Sequence, residues 1–390
     1  MAMKTSSARI AGLGTTIFAE MSALAVRTGS INLGQGFPDT DGPTEVIDRA
    51  VDALRSGRNQ YAPGTGVPEL RQAIAAHQQR FYGLAVDPDT EVAVTTGATE
   101  AIAAMLLGLL DEGDEVIVLE PYYDSYVAML QMAGAVRRPV TLRAPGFRLP
   151  IDELHAAVSP RTTAILLNSP HNPTGTVLRR DELEAIAAIA IEHDLVVISD
   201  EVYEHLTFDG LPHIPIATLP GMAERTLTIS SGGKSFSFTG WKIGWATGPA
   251  ALIQALLGAK QFMTYTSGSP LQPAIAHALV ADDSYFDGFR AQLQSQRDLL
   301  CTGLAEVGLE VFVPEGTYFV TTDIRPLGFD DGVEFCRMLP ERVGVVAIPH
   351  QVFYDHVDVG RPLVRWAFCK RPEVIAEALT RLAGLRPHDS

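Results

Sequence analysis

Cysteine is scarce in this sequence. Three occur in 390 residues, Cys301, Cys336 and Cys369, with no CxxC pair among them. An odd, scattered set in a long chain argues against a disulfide framework and for reduced, buried thiols. Long apolar runs are missing as well. The longest, residues 101–110, has ten residues, against the ~18 that a bilayer span needs. The opening stretch MAMKTSSARIAGLGTTIF lacks the apolar core of an export signal, so a cytoplasmic protein is expected. Positive charge is also in short supply: 30 Lys and Arg against 46 Asp and Glu leave a net charge of −16. A surface that acidic disfavours nucleic acid, whose binding relies on neutralising phosphates, but leaves room for a local basic pocket. There is no internal repeat, low-complexity tract or long linker. No histidine stands at metal-ligand spacing from a carboxylate or a second histidine, and no metal is assigned.

What is present is an ordinary globular balance, 46% apolar and 19% charged. At roughly 150 residues per domain, the length suggests two or three structural units. From residue 91 the pattern alternates. Short β-rich runs at 91–96, 115–120, 162–168, 194–200 and 225–231 are interleaved with helix-like segments at 98–110, 123–133 and 181–193. Strands separated by helices read as a largely parallel sheet covered on both faces. The chain then turns helical to residue 307. It returns to mixed strands at 343–349 and 363–369 and ends in a helix from Pro372. The segment before Pro43 reads as having little regular structure. The expected division is a large α/β domain at 44–284 and a smaller α+β domain built from 1–43 and 285–390.

In such sheets ligands bind beyond the carboxyl ends of the strands, so the residues following each strand come first. The last run leads into SGGKSFSFTGWKIGW (231–245). A Lys after two glycines resembles the end of a P-loop, but Thr228 stands where that motif needs its first glycine. On this motif alone Lys234 is either a solvated lysine or a Schiff-base nucleophile. The neighbours separate the two. Asp200 ends a strand and can pair with a protonated ring nitrogen, and Tyr203 follows it by one turn. Asn172 precedes a proline in HNPTG, which frees its amide for hydrogen bonding. Gly97, Ala98 and Thr99 open a helix straight after a strand, where free N–H groups suit a phosphate, and Lys242 can add a cation. These requirements together describe pyridoxal 5′-phosphate.

The sequence resembles the fold-type-I, class I/II aminotransferases along nearly its whole length. The resemblance is carried by NLGQGFPD (32–39), NQYAPGTGVPELRQAIA (59–75), TTGATEA (95–101), EPYYDSY (120–126), NSPHNPTG (168–175), SDEVYEHL (199–206), the Lys234 segment and LVRWAFCKR (363–371), in family order. The first two look like the kynurenine, glutamine and methionine aminotransferase subgroup, which N-succinyldiaminopimelate aminotransferases also resemble.

That resemblance implies a large domain with a mostly parallel seven-stranded sheet and a smaller α+β domain. It implies pyridoxal phosphate held covalently by Lys234, which also moves the α-proton. Asp200 would hold the ring nitrogen, Tyr203 and Asn172 the phenolic oxygen, and Tyr123 would stack on the ring, with Tyr122 as the alternative one residue away. Ala98, Thr99, Ser231 and Lys242 would hold the phosphate. Tyr61 would reach the phosphate of a neighbouring subunit, so a homodimer is implied. Arg365 would grip the substrate carboxylate, helped by the Gly36 backbone, with Asn172 and Phe18 on the substrate side. His171 beside Asn172 reads as loop support. The implied reaction moves an α-amino group from an L-amino acid to a 2-oxo acid such as 2-oxoglutarate, in ping-pong order. N-succinyldiaminopimelate, methionine, glutamine, kynurenine and aromatic amino acids are the candidate donors. The alternative on the same scaffold is β-lyase cleavage of cysteine S-conjugates.

Overall fold

The computed structural model describes residues 7–14 and 16–385. Its centre is a seven-stranded sheet in the order Val92–Thr96, Ile243–Thr247, Thr226–Ser231, Val196–Asp200, Thr162–Asn168, Glu115–Glu120, Val136–Thr141. Ile243–Thr247 runs antiparallel to both of its neighbours, and all other pairs are parallel. The inner strands are apolar on both sides because side chains alternate across a strand. Val116 and Val118 face a core with Ile102, Met105 and Leu130 from the helices Gly97–Leu109 and Asp124–Ala133. Ile117 and Leu119 face the opposite core, with Leu154 and Leu183. Each fully buried Leu or Ile contributes about 2 kcal/mol of transfer free energy.

Two strands of this sheet escape a reading of sequence runs. Val136–Thr141 is a partly exposed edge strand that carries Arg137, Arg138 and Pro139. Charge and proline are what an edge needs to resist further pairing, and they also hide it from a hydrophobic pattern. Ile243–Thr247 begins directly after Lys242, inside what reads as the loop of the lysine motif.

A second sheet, in the order Ile348–Pro349, Leu363–Ala367, Phe319–Asp323, Glu310–Phe312, is antiparallel throughout. It packs with the helices Asp283–Val307, Gly332–Arg342 and Pro372–Leu382 around Leu304, Val320, Phe335, Trp366 and Ile375. The stretch 343–349 does not form one strand. It splits into Val345–Val346, parallel to Ile31–Asn32, and Ile348–Pro349, paired with Leu363–Ala367.

The opening segment corrects the sequence reading. It holds the helix Ile17–Thr28, whose first turn is capped by Thr16 Oγ1 accepting from the Ala19 N–H at 3.2 Å. Gly29 closes the helix in the left-handed conformation at φ 64. Met21, Leu24 and Ala25 are buried against the second sheet's core, so tertiary packing stabilises this helix. Among the described residues no helix is long and apolar enough to cross a membrane.

Candidate active site

The carboxyl ends of Val92–Thr96, Thr162–Asn168, Val196–Asp200 and Thr226–Ser231 share one edge of the central sheet. Lys242, at the start of the antiparallel strand, lies at the same edge. A cavity of about 410 Å³ opens there, within the range of small-molecule sites. Its walls include Phe18, Gly36, Ala98, Thr99, Tyr123, Asn172, Asp200, Tyr203, Ser231, Lys234, Lys242 and Arg365. Of the residues assigned to cofactor or substrate, Tyr61 and the alternative Tyr122 are absent from these walls. Tyr61 is 85% exposed, with its ring edge-on to Tyr265 at 5.9 Å. Tyr122, the alternative to Tyr123, is buried in the sheet core instead.

Lys234 sits on the one-turn helix Gly232–Ser235 that follows a central strand. Burial pushes its ammonium down to about 8, although Cys369 and Asp200 oppose the shift. Its Nζ donates to the Tyr318 hydroxyl at 2.6 Å and lies 3.4 Å from the Gly36 carbonyl. Across the cavity, Asp200 is 5% exposed. Burial raises its carboxyl to about 6, and the Tyr126 hydroxyl, donating to Oδ2 at 2.6 Å, opposes that rise. The Asn168 amide holds the Asp200 backbone carbonyl at 2.8 Å, while its Oδ1 accepts from the Asn172 N–H at 2.7 Å. Burial raises both Tyr203 and Tyr123, so both phenols are neutral.

A second end of the cavity is built for an anion. The 13-residue helix Gly97–Leu109 starts at Thr96, which makes no side-chain capping bond. The first N–H groups, Ala98 and Thr99 among them, have no capping side chain. Two glycines bring the backbone in close. A Cβ on Gly244 would lie 2.5 Å from the Gly97 carbonyl carbon, and one on Gly97 would lie 3.0 Å from Lys242 Nζ. Lys242 itself adopts φ 55, an uncommon conformation for a non-glycine residue.

The third end is Arg365, in the strand Leu363–Ala367 and 2% exposed. Among the described residues it forms no ion pair, and the acid whose charge it feels is Asp124 in the same cavity wall. Its NH1 donates to Asn172 Oδ1 at 3.0 Å and its NH2 to the Gly34 carbonyl at 2.8 Å, while its Nε is buried without a partner. The guanidinium lies over Phe319 at 4.0 Å and over Phe18 at 5.0 Å. Burial lowers its proton affinity to about 10. A buried, unneutralised cation with a donor to spare is costly unless an anion completes it.

The model of the family "Aminotransferase class I and II" matches residues 28–382. The chain belongs to the class I and II aminotransferases. It is 54% identical to the N-succinyldiaminopimelate aminotransferase from Mycobacterium tuberculosis, whose structure it matches with a TM-score of 0.96 over 98% of this chain and 100% of that one. It is 40% identical to the methionine aminotransferase of Escherichia coli over 96% of each chain. It is 39% identical to kynurenine–oxoglutarate transaminase 3 of Mus musculus, covering 97% of this chain and 90% of the relative.

Aminotransferases of this family use pyridoxal 5′-phosphate, and the residues present fit it. The uncapped helix start, the glycine-cleared backbone beside Lys242, a lysine shifted toward its neutral amine and a buried carboxylate are the donor set that a phosphorylated pyridine aldehyde requires. His171 is buried and bonded to Thr174 at 2.7 Å, and burial lowers it to about 4. It supports the loop as a neutral group.

Sequence reasoning missed Tyr126 and Tyr318, which act on Asp200 and Lys234 from elsewhere in the chain, and gave Asn168, within the 168–175 motif, no role of its own. It also missed a buried group of His77, Glu204 and His205, whose ligand atoms lie within 4.8 Å of one another. Hydrogen bonds within the protein satisfy part of that group and leave His77 Nδ1 buried with no partner among the described residues. The two histidines share a hydrogen bond at 2.8 Å, and Glu204 accepts from Tyr82 and Ser230.

Proposed function

We propose that this aminotransferase moves the α-amino group of an L-amino acid to 2-oxoglutarate in two half-reactions of ping-pong order. The observation that carries the reading is Arg365, a buried cation with no ion pair among the described residues and an unpartnered Nε, at the cavity that also holds Lys234. An α-carboxylate on this guanidinium would supply the missing anion and fix the Cα–H bond relative to the lysine. When bound, pyridoxal phosphate supplies the electron sink that lets that bond break. Lys234 holds the cofactor covalently and, when freed, takes and returns the α-proton, a role for which a depressed proton affinity suits it. Asp200 would pair with the ring nitrogen, Tyr203 and Asn172 with the phenolic oxygen, and Tyr123 would cover the ring face. Ala98, Thr99, Ser231 and Lys242 would hold the phosphate, while Gly36 and Phe18 would border the substrate.

The cations lining the cavity are Lys234, Lys242 and Arg365, and the rings against Arg365 are Phe18 and Phe319. That lining supports donors with uncharged side chains, such as methionine, glutamine, kynurenine or an aromatic amino acid. The two further carboxylates of N-succinyldiaminopimelate would need further cations. Exposed aromatic surface at Tyr61, Phe262 and Tyr265 supports a homodimer in which Tyr61 reaches the phosphate of the partner subunit. The same reading includes a division into 44–284 and 1–43 with 285–390. The buried free cysteines support a cytoplasmic setting. A panel of amino donors, followed by the spectral change of the bound cofactor, tests the substrate proposal. Faster conversion with methionine than with N-succinyldiaminopimelate agrees with it, and the reverse order contradicts it.

A further inference from the structure

The reactive lysine is held by a residue outside the motifs around it. Tyr318 precedes the strand Phe319–Asp323 of the second sheet and is 1% exposed. Its ring stands edge-on to Tyr203 at 5.2 Å and to Phe319 at 4.8 Å. Its hydroxyl meets the Gly36 carbonyl and Lys234 Nζ, and the Tyr203 hydroxyl lies beside it as a third polar neighbour. The Gly36 carbonyl can only accept, so the single phenolic hydrogen goes there, at 2.6 Å. The oxygen lone pairs are then left for Lys234 Nζ, also at 2.6 Å. The lysine is therefore the donor in this pair. Burial holds the Tyr318 phenol far above its ordinary range, so it accepts from Lys234 without carrying a charge. A neutral acceptor can hold the amine in both of its protonation states, where a carboxylate would clamp it as an ammonium.

We propose that Tyr318 is a positioning residue for proton transfer, which accepts from Lys234 and takes its own orientation from the Gly36 backbone. The proposal rests on the role of Lys234 given above. It ties the lysine to the segment that borders the substrate. Gly36 must be glycine here, because a Cβ would collide with the Phe319 ring. Displacing the Gly36 carbonyl would free the Tyr318 hydrogen to turn toward Lys234 and reverse the bond.

Tyr318→Phe removes the hydroxyl and keeps the ring contacts. In the apoprotein, the rate at which Lys234 captures added pyridoxal phosphate follows the neutral amine. In the parent protein it rises with pH through a midpoint near 8, where Lys234 titrates. An acceptor stabilises the ammonium, so losing it moves that midpoint to lower pH. In the loaded enzyme, kcat falls about tenfold, the equivalent of one hydrogen bond. KM stays nearly constant, and the isotope effect with an α-deuterated donor grows. A midpoint and an isotope effect equal to the parent's, in a variant with parental melting temperature, would overturn the proposal. Failure of the underlying reading looks different: the parent protein itself would then show no cofactor fixed to Lys234 by borohydride. Loss of folding in Tyr318→Phe is checked with Tyr318→Trp, which also lacks an acceptor at this point and must shift the midpoint in the same direction; an unshifted midpoint there counts against the proposal.

Discussion

Tyr126 donates its hydroxyl hydrogen to Asp200 Oδ2 at 2.6 Å, deep in the core that backs the active-site edge. The bond stabilises the ionised carboxylate against a burial that pushes the proton affinity up to about 6. In the apoprotein the buried carboxylate accepts from the Tyr126 phenol and, at Oδ1, from the Val202 N–H at 3.3 Å. The protonated ring nitrogen of the cofactor is the cation that would complete it.

Tyr126→Phe removes the one side-chain hydrogen bond that favours the ionised form. The Asp200 carboxyl then titrates above 6, and cofactor affinity drops more at pH 6 than at pH 8. Fluorescence titration with pyridoxal phosphate at the two pH values measures this. An equal loss at both would show that Tyr126 acts only by packing.

The same raised carboxyl sets a stability trade. Between 3.8 and about 6 the folded apoprotein holds a proton that the unfolded chain has released. The stability linked to this group is full below 3.8 and is lost as pH climbs through about 6. Asp200→Asn escapes that loss. Its apoprotein is expected to be more stable than the parent by about 3 kcal/mol at pH 8 and unchanged at pH 3.5, while cofactor binding weakens. Urea melts of the two apoproteins test the sign.

Arg365→Ala should raise KM for amino donors about a hundredfold, the worth of one bidentate, charge-assisted pair. Cofactor content should stay near the parent's, because Arg365 bonds to Asn172 and Gly34 and not to the phosphate end. Loss of cofactor in this variant would assign the arginine elsewhere.

Gly244→Ala places a Cβ 2.5 Å from the Gly97 carbonyl carbon and 2.6 Å from the Ala98 nitrogen. Both are backbone atoms at the helix start, so no side chain can move aside. Destabilisation of about 3 kcal/mol is expected, together with loss of phosphate affinity, read by thermal melting with and without inorganic phosphate. A variant that melts normally and binds phosphate normally would remove this helix start from the site.

If Tyr61 completes the partner's site, mixing Lys234→Ala with Tyr61→Ala subunits restores one native site per heterodimer. Cofactor affinity at that site should return to the parental value. Heterodimers no better than the Tyr61→Ala homodimer would place Tyr61 outside the shared site.

The parallel core of the fold was legible because its strands are apolar runs ending in polar residues, as at Asn168, Asp200 and Ser231. The polar ends are the site, so most of the cavity wall was legible with them. Val136–Thr141 was not, since its edge position calls for the arginines and proline that mask a strand. Ile17–Thr28 was not, because its burial against the second sheet comes from residues far along the chain. Tyr126 and Tyr318 carried no local signal. Each meets its partner, Asp200 or Lys234, only across the fold, 74 and 84 positions away.

The central claim is that Lys234 is the residue that holds the cofactor and works on the substrate. Reducing the holoenzyme with borohydride and mapping its peptides by mass tests this directly. The account predicts the reduced cofactor on the peptide carrying Lys234, and none in Lys234→Ala. Cofactor fixed to Lys242 or to any other lysine, or turnover undiminished in Lys234→Ala, would contradict it.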